Sequence, residues 1–174
     1  MTLINTIAPE NAEGEIKKGY DLFLERGIKV PNPFRLLSVS PKMFDMLVTR
    51  NKYFSNHPNL SFELLAHIRY FVSKNLNYEF CCKHNKNLLI MQGACENDFT
   101  KMDNDPEKSL LEENDLFMLK FVLKAMDSPE SISEKDINQL KESGWEDSDI
   151  FDALAQGVGM IDHNYFMKVF KPDF

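Results

Sequence analysis

The chain has 174 residues, of which 43% are hydrophobic, and a formal net charge of -7. This size supports a substantial core, and we expect residues 1–174 to form a single domain. The acidic balance, without a cluster of Lys and Arg, argues against nucleic acid and anionic membranes as partners. With three cysteines, no signal peptide at the N-terminus and no apolar run of the roughly 20 residues that span a membrane, we expect a cytoplasmic protein with reduced thiols.

Helical periodicity covers most of the chain, and no run alternates as a strand would. In chain order we predict helices over 11–27, 41–53, 61–75, 78–91, 115–126, 133–143 and 148–169. The prolines of Val30-Pro-Asn-Pro-Phe34 predict an extended connector, and the polar stretch 93–108 predicts a loop. The class is therefore all-α, with about seven or eight helices.

The third predicted helix begins after Ser61 and carries two residues suited to acid–base chemistry. Glu63 and His67 are four residues apart and share one helix face beside an apolar stripe. Helical spacing predicts that Glu63 points inward, where burial would raise its pKa and make it a candidate general base. The alternative is that Glu63, in the first helical turn, only complements the helix dipole.

The next predicted helix carries Cys81, Cys82 and His84 near its start. The side chains of two adjacent helical residues diverge by roughly 100°, so both thiols cannot face one site, and only Cys81 shares a face with His84. An imidazole near a thiol favours the thiolate, which makes Cys81 the better candidate nucleophile; if it is catalytic, we expect a low pKa. Ordinary buried cysteines are the alternative. The spacing fits no common zinc pattern, so we expect no metal.

Three further segments form a recognisable set: Pro31-Asn-Pro-Phe-Arg-Leu-Leu-Ser-Val-Ser-Pro41, Leu60-Ser-Phe-Glu-Leu-Leu64, and the region from Ile132 through His163-Asn164. Together they resemble the alkylhydroperoxidase D (AhpD)-like, carboxymuconolactone decarboxylase superfamily, and its peroxidase-related branch in particular. Their order and spacing cover roughly residues 9–174. The resemblance implies an AhpD-like helical bundle that forms a homo-oligomer, such as a dimer, trimer or hexamer.

The redox motif of that family is a Glu, eleven residues, and then C-x-x-C-x-x-x-H. No register of this sequence yields a C-x-x-C pair. With Cys81 as the second cysteine, Tyr78 takes the first position and His84 falls one residue early. On this resemblance Cys81 is the peroxide-attacking thiol, and His84 and Glu63 relay a proton. Cys82, Tyr78 and His67 are secondary polar groups.

The resemblance thus implies an antioxidant protein that reduces a small-molecule hydroperoxide through Cys81, without a cofactor. Because the partner cysteine is missing, the resulting sulfenic acid would need an external thiol reductant. Two alternatives remain open. One is a decarboxylase-like lyase or isomerase that uses His84 and Glu63 as acid and base. The other is a catalytically inactive binding module of the same fold.

Overall fold

The computed structural model describes residues 2–172, which form nine α-helices, three short 3-10 helices and no strand. The α-helices are α1 Gly14–Leu24, α2 Asn32–Leu37, α3 Pro41–Ser55, α4 Phe62–Asn75, α5 Glu79–Met91, α6 Glu96–Asn104, α7 Glu113–Asp127, α8 Glu134–Glu142 and α9 Asp147–Phe170. The 3-10 helices are Pro9–Asn11, Pro106–Lys108 and Pro129–Ser131. The all-α prediction is confirmed. Over the described residues, no helix is both long enough and apolar enough to cross a membrane.

Two helices were not predicted from the sequence, which explains why the expected number was too low. The predicted extended connector is wrong beyond Pro31, because Asn32 and Pro33 form the first turn of α2, where a missing N–H costs no hydrogen bond. The predicted loop over 93–108 contains α6. A capping box starts this helix: Cys95 accepts from the backbone, and the Asp98 carboxylate accepts from the Cys95 backbone N–H at 2.9 Å.

The described chain consists of two units, and α9 runs from the second into the first. The first unit holds residues 2–56 and 165–172, and its core packs Ile16, Tyr20 and Phe44. There Gly19 lies so close to Phe44 that a Cβ would come within 2.5 Å of the ring. The second unit holds residues 57–164, where α4 packs against α5 and α7. The prediction of a single domain stays a prediction.

The hairpin of α4 and α5 positions every predicted site residue, and all of them lie in the second unit. The Ser61 hydroxyl caps α4 by accepting from the Leu64 backbone N–H at 3.0 Å. The break predicted near Asn75 is confirmed: α4 ends there, and Asn77 has a left-handed φ of 52°. The Tyr78 N–H then donates to the Ser73 carbonyl at 2.8 Å, which holds the start of α5 against the end of α4.

Candidate active site around Cys81

Two side-chain contacts fix how α4 and α5 face each other. Near the middle of α4, the Arg69 Nε donates to the Asn85 Oδ1 at 2.8 Å. Near its start, the Glu63 Oε1 accepts from the Gln92 Nε2 at 3.1 Å. The helices therefore run antiparallel, so residues late in α4 face residues early in α5.

Asn85 ties the guanidinium of Arg69 to the helix that carries Cys81. The Asn85 side chain is only 1% exposed. Its carbonyl accepts from Arg69, and its Nδ2 donates to the Cys81 backbone carbonyl at 2.8 Å. Both ends of this buried amide are therefore satisfied, as a buried polar group requires. The amide fixes Arg69 beside the first turns of α5.

Arg69 carries a positive charge that no carboxylate balances within residues 2–172. Burial lowers its pKa to about 10, and the nearby Cys81 thiolate opposes this shift. The guanidinium carbon lies 5.9 Å from the centre of the Phe62 ring, within range of a cation–π contact. The side chain stays protonated at neutral pH, so Cys81 has a cation beside it.

The Cys81 thiol is half-buried, and burial raises its pKa to about 11. A hydrogen bond from the Tyr78 hydroxyl and the charge of Arg69 lower the pKa, but they do not outweigh burial. Burial also raises the pKa of Tyr78, so this hydroxyl keeps its proton and acts as a donor. A low pKa, which would have favoured catalysis over packing, is therefore not what the surroundings of Cys81 produce.

His84 and Cys82 lie near Cys81 in sequence but have other surroundings. His84 is exposed, and its ring lies parallel to the Phe80 ring with centroids 6.4 Å apart. Desolvation of the ring, and then the charge of Arg69, lower the pKa of His84. Burial raises the pKa of Cys82, whose charged neighbours are Asp103, Lys74 and Lys86. No hydrogen bond among the described residues joins His84 to Cys81.

Glu63 does not belong to the surroundings of Cys81. The predicted inward orientation is wrong, because Glu63 is exposed in the first turn of α4 and accepts from Gln92. Gln92 follows Cys81 by eleven residues, which is about 16 Å along a helix. Of the two readings of Glu63 open from sequence, the geometry favours the residue that complements the helix dipole.

His67 is the buried acid–base residue of α4, with 3% exposure. Its Nδ1 donates to the Glu63 backbone carbonyl at 2.8 Å, and burial lowers its pKa, so the ring is neutral. The Nε2 atom is buried and has no partner among the described residues. Asp115 and Glu63 are the acids whose charges act on His67. Burial raises the pKa of Asp115, whose carboxylate accepts from Ser61 at 2.5 Å.

Two residues of this site were not among those predicted from the sequence, Asn85 and Arg69. With Cys81 in the second cysteine position of the motif, the histidine position is Asn85 and the glutamate position is Ala66. The four-residue spacing from Cys81 was the available signal for Asn85. Arg69 lies near the predicted site in the sequence, but only the pairing of α4 with α5 places it beside Cys81. Within residues 2–172, no three His, Cys, Asp or Glu side chains could hold a metal ion.

The arrangement of helices defines an AhpD-like, all-α fold, as the resemblance implied. The chain is similar to an uncharacterized peroxidase-related protein from Silicibacter sp. TM1040, with a TM-score of 0.80, 18% identity, and coverage of 98% of this chain and 90% of that one. It is also similar to an AhpD core structure, an uncharacterized peroxidase-related protein from Ralstonia eutropha JMP134. There the TM-score is 0.82, the identity 18%, and the coverage 99% and 92%. No family model and no curated protein matches the sequence.

Proposed function

We propose that the protein reduces hydroperoxides through the single thiol of Cys81. The observation that most supports this is the pairing of Cys81 with a cation, Arg69, and a hydroxyl donor, Tyr78. Cys82 has Asp103 as well as Lys74 and Lys86 among its neighbours, and the Cys95 thiol donates to the Asp98 carboxylate at 3.0 Å. Negative charge disfavours a thiolate, and within residues 2–172 Cys81 is the thiol that has a cation and a hydroxyl donor but no carboxylate among its neighbours.

The proposed reaction begins when the Cys81 thiolate attacks the terminal oxygen of the hydroperoxide. A sulfur–oxygen bond forms, the oxygen–oxygen bond breaks, and the sulfur loses two electrons. The alkoxide that leaves takes up the proton that the thiol released, giving an alcohol and a sulfenic acid. An external thiol then forms a mixed disulfide and releases water, and a second thiol restores Cys81 while the two external thiols end as a disulfide.

The groups that would stabilise the Cys81 thiolate differ from those in the dithiol motif of the family. The hydroxyl of Tyr78 stands in the position of the first cysteine and, against the effect of burial, lowers the pKa of the Cys81 thiol. Arg69 supplies the positive charge, in place of a histidine and glutamate relay through His84 and Glu63. With a pKa of about 11, roughly 0.01% of the thiol is ionised at pH 7, so we expect slow turnover.

Mass spectrometry after one equivalent of hydroperoxide tests the proposal, with a trapping reagent for sulfenic acid. We expect the trapped adduct at Cys81, and we expect Cys81→Ser to abolish peroxide consumption supported by an external thiol. The matched control is Cys95→Ser, which removes an exposed thiol and should leave consumption unchanged. Equal modification of Cys81 and Cys95, or full consumption by Cys81→Ser, would overturn the proposal.

A second candidate is a binding protein of the same fold, which the raised pKa of Cys81 and the missing dithiol favour. Peroxide-inert thiols together with a thermal shift by a small molecule would support it. The lyase alternative has weaker support, because Glu63 contacts Gln92 rather than the surroundings of Cys81. The homo-oligomer and a reducing, cytoplasmic location stay predictions.

A further inference from the structure

Arg69 has more hydrogen-bond donors than the described residues accept. A guanidinium carries five N–H groups, and here only Nε–H has an acceptor, the Asn85 carbonyl. The four hydrogens on the two Nη atoms have none among residues 2–172. Arg69 is half-buried, and a partly desolvated cation without a counter-charge is costly, so a bound anion would offset that cost.

The guanidinium is also held in one orientation before any anion arrives. The Asn85 Oδ1 accepts a hydrogen bond from the Arg69 Nε, and the Asn85 Nδ2 donates to the Cys81 carbonyl. These two bonds hold Arg69 against α5. An arginine held in this way presents its two Nη atoms as a rigid pair of donors, which matches the two oxygens of a carboxylate. A receptor fixed in advance loses little conformational freedom when it binds.

The groups around Arg69 suit an anion with a single charge and an apolar body. Tyr78 is a neutral donor, and His84 is held towards its neutral form. The Phe62 ring flanks the guanidinium and is 45% exposed, and the Phe80 ring lies 6.4 Å from the Tyr78 ring. One cation among neutral and aromatic groups matches a monocarboxylate better than a doubly charged phosphate.

We propose that Arg69, fixed by Asn85, is the receptor for the carboxylate of a small organic acid that binds beside Cys81. The Nη donors hold the carboxylate, Phe62 contacts the hydrocarbon part, and Tyr78 lies at the thiol. The inference does not require peroxide reduction, since a binding protein of this fold would use the same receptor.

Charge-selective alkylation of Cys81 tests the inference without any peroxide. The thiolate attacks the carbon of iodoacetate or of iodoacetamide and displaces iodide in the same way, but only iodoacetate carries a carboxylate. We expect the ratio of their rates at Cys81 to be at least tenfold higher in the folded protein than in the same protein unfolded in urea. That factor is about the contribution of one charge-assisted hydrogen bond, and the fraction of thiolate cancels in each ratio.

Two variants of Arg69 distinguish binding by its paired hydrogen-bond donors from a general attraction of the anionic reagent to positive charge. Arg69→Met should remove the preference for iodoacetate, and Arg69→Lys should keep part of it, because the charge remains but the paired donors are lost. The matched control is Arg50→Met, since Arg50 also stands over a phenylalanine ring, at 5.5 Å from the Phe54 centre, but lies in the other unit. This control should leave the ratio at Cys81 unchanged.

Protection by a competitor covers the case in which the Arg69 variants fail to fold. In the wild-type protein, benzoate should slow alkylation of Cys81 by the neutral reagent iodoacetamide and should leave Cys95 unaffected, whereas equimolar benzyl alcohol should protect neither. An equal rate ratio in folded and unfolded protein, an undiminished preference in folded Arg69→Met, or no protection by benzoate would overturn the inference.

Discussion

The two ends of the α4–α5 pair have opposite electrostatic character. At the Glu63 end, Glu63 is exposed and accepts from Gln92, and Asp115 and the neutral His67 lie nearby. At the Arg69 end, a cation without a carboxylate partner lies beside the Cys81 thiol. One end therefore concentrates acids, and the other end offers an anion a single positive charge.

The difference shows that helix pairing, rather than proximity in sequence, decides which groups share a site. Glu63 and Arg69 are both on α4, six residues apart, which is about 9 Å along the axis. Because α5 runs antiparallel, the residue that faces Arg69 is Asn85, and the residue that faces Glu63 is Gln92. Thiol chemistry and carboxylate chemistry are thereby kept at separate ends.

The largest effect that would sharpen this comparison is the pH dependence of Cys81 reactivity. Burial raises the pKa of this thiol to about 11, so at lower pH the thiolate fraction increases about tenfold with each unit by which the pH is raised. We therefore expect alkylation of Cys81 by iodoacetamide to be about a hundredfold faster at pH 9 than at pH 7, as measured by mass spectrometry of the Cys81 peptide. A plateau below pH 9 would show that Arg69 and Tyr78 outweigh burial.

The next largest effect concerns the free energy of unfolding, which should depend more on the buried amide of Asn85 than on the exposed amide of Gln92. Asn85→Ala leaves the Arg69 Nε and the Cys81 carbonyl without their partner in a buried site. We expect a loss of about 2 kcal/mol in the free energy of unfolding, measured by urea denaturation. The matched control, Gln92→Ala, removes an exposed contact to Glu63 and should cost less than about 0.5 kcal/mol. Equal losses of unfolding free energy in the two variants would contradict the expectation that the buried Asn85 contacts stabilise the fold more than the exposed Gln92 contact.

A smaller effect concerns His67 and the pH dependence of stability. Burial lowers the pKa of His67 in the folded state, so the unfolded chain binds more protons as the pH falls. This residue therefore contributes stability that is present above its unfolded pKa of about 6.5 and is lost below it. The shifted pKa of Asp115 acts in the opposite direction, because its raised value makes the folded state bind protons more readily.

Comparison of the wild type with His67→Leu removes this contribution together with the electrostatic coupling of His67 to Asp115. The difference in the free energy of unfolding, wild type minus variant, should decrease as the pH is lowered from 7.5 to 5.5. Urea denaturation at several pH values measures it. A difference that stays constant would contradict a neutral, buried His67.

Most of the fold was predictable because periodicity and capping act locally. Seven of the nine α-helices described in residues 2–172 follow from apolar spacing, and a capping box of Ser133 and Asp136 begins α8. The other two, α2 and α6, were missed for identifiable reasons. In α2 a proline occupies the first turn, where it is tolerated, and in α6 a cysteine takes the capping position usually held by serine, threonine or aspartate.

The candidate site was less predictable, because it depends on contacts between helices. The choice of Cys81 over Cys82 followed from helix geometry alone, and it remains the basis of the proposed function. The orientation of Glu63 was wrong, since sequence spacing gives a shared face but not which neighbour covers it. The charge of Arg69 could not be linked to Cys81 before the antiparallel pairing was known.

The smallest expected effect is also the most direct test of the two-ended arrangement. Glu63→Gln removes a carboxylate that contacts Gln92, about 16 Å along α5 from Cys81. We therefore expect the rate of Cys81 oxidation by hydroperoxide to change less than about twofold, because an exposed charge at that distance is largely screened in 0.15 M salt. Arg69→Met should slow the same reaction at least tenfold, since it removes the cation beside the thiolate. If Glu63→Gln slowed oxidation as much as Arg69→Met, the two ends would act as one site, and the relay through Glu63 and His84 implied by the family resemblance would be restored.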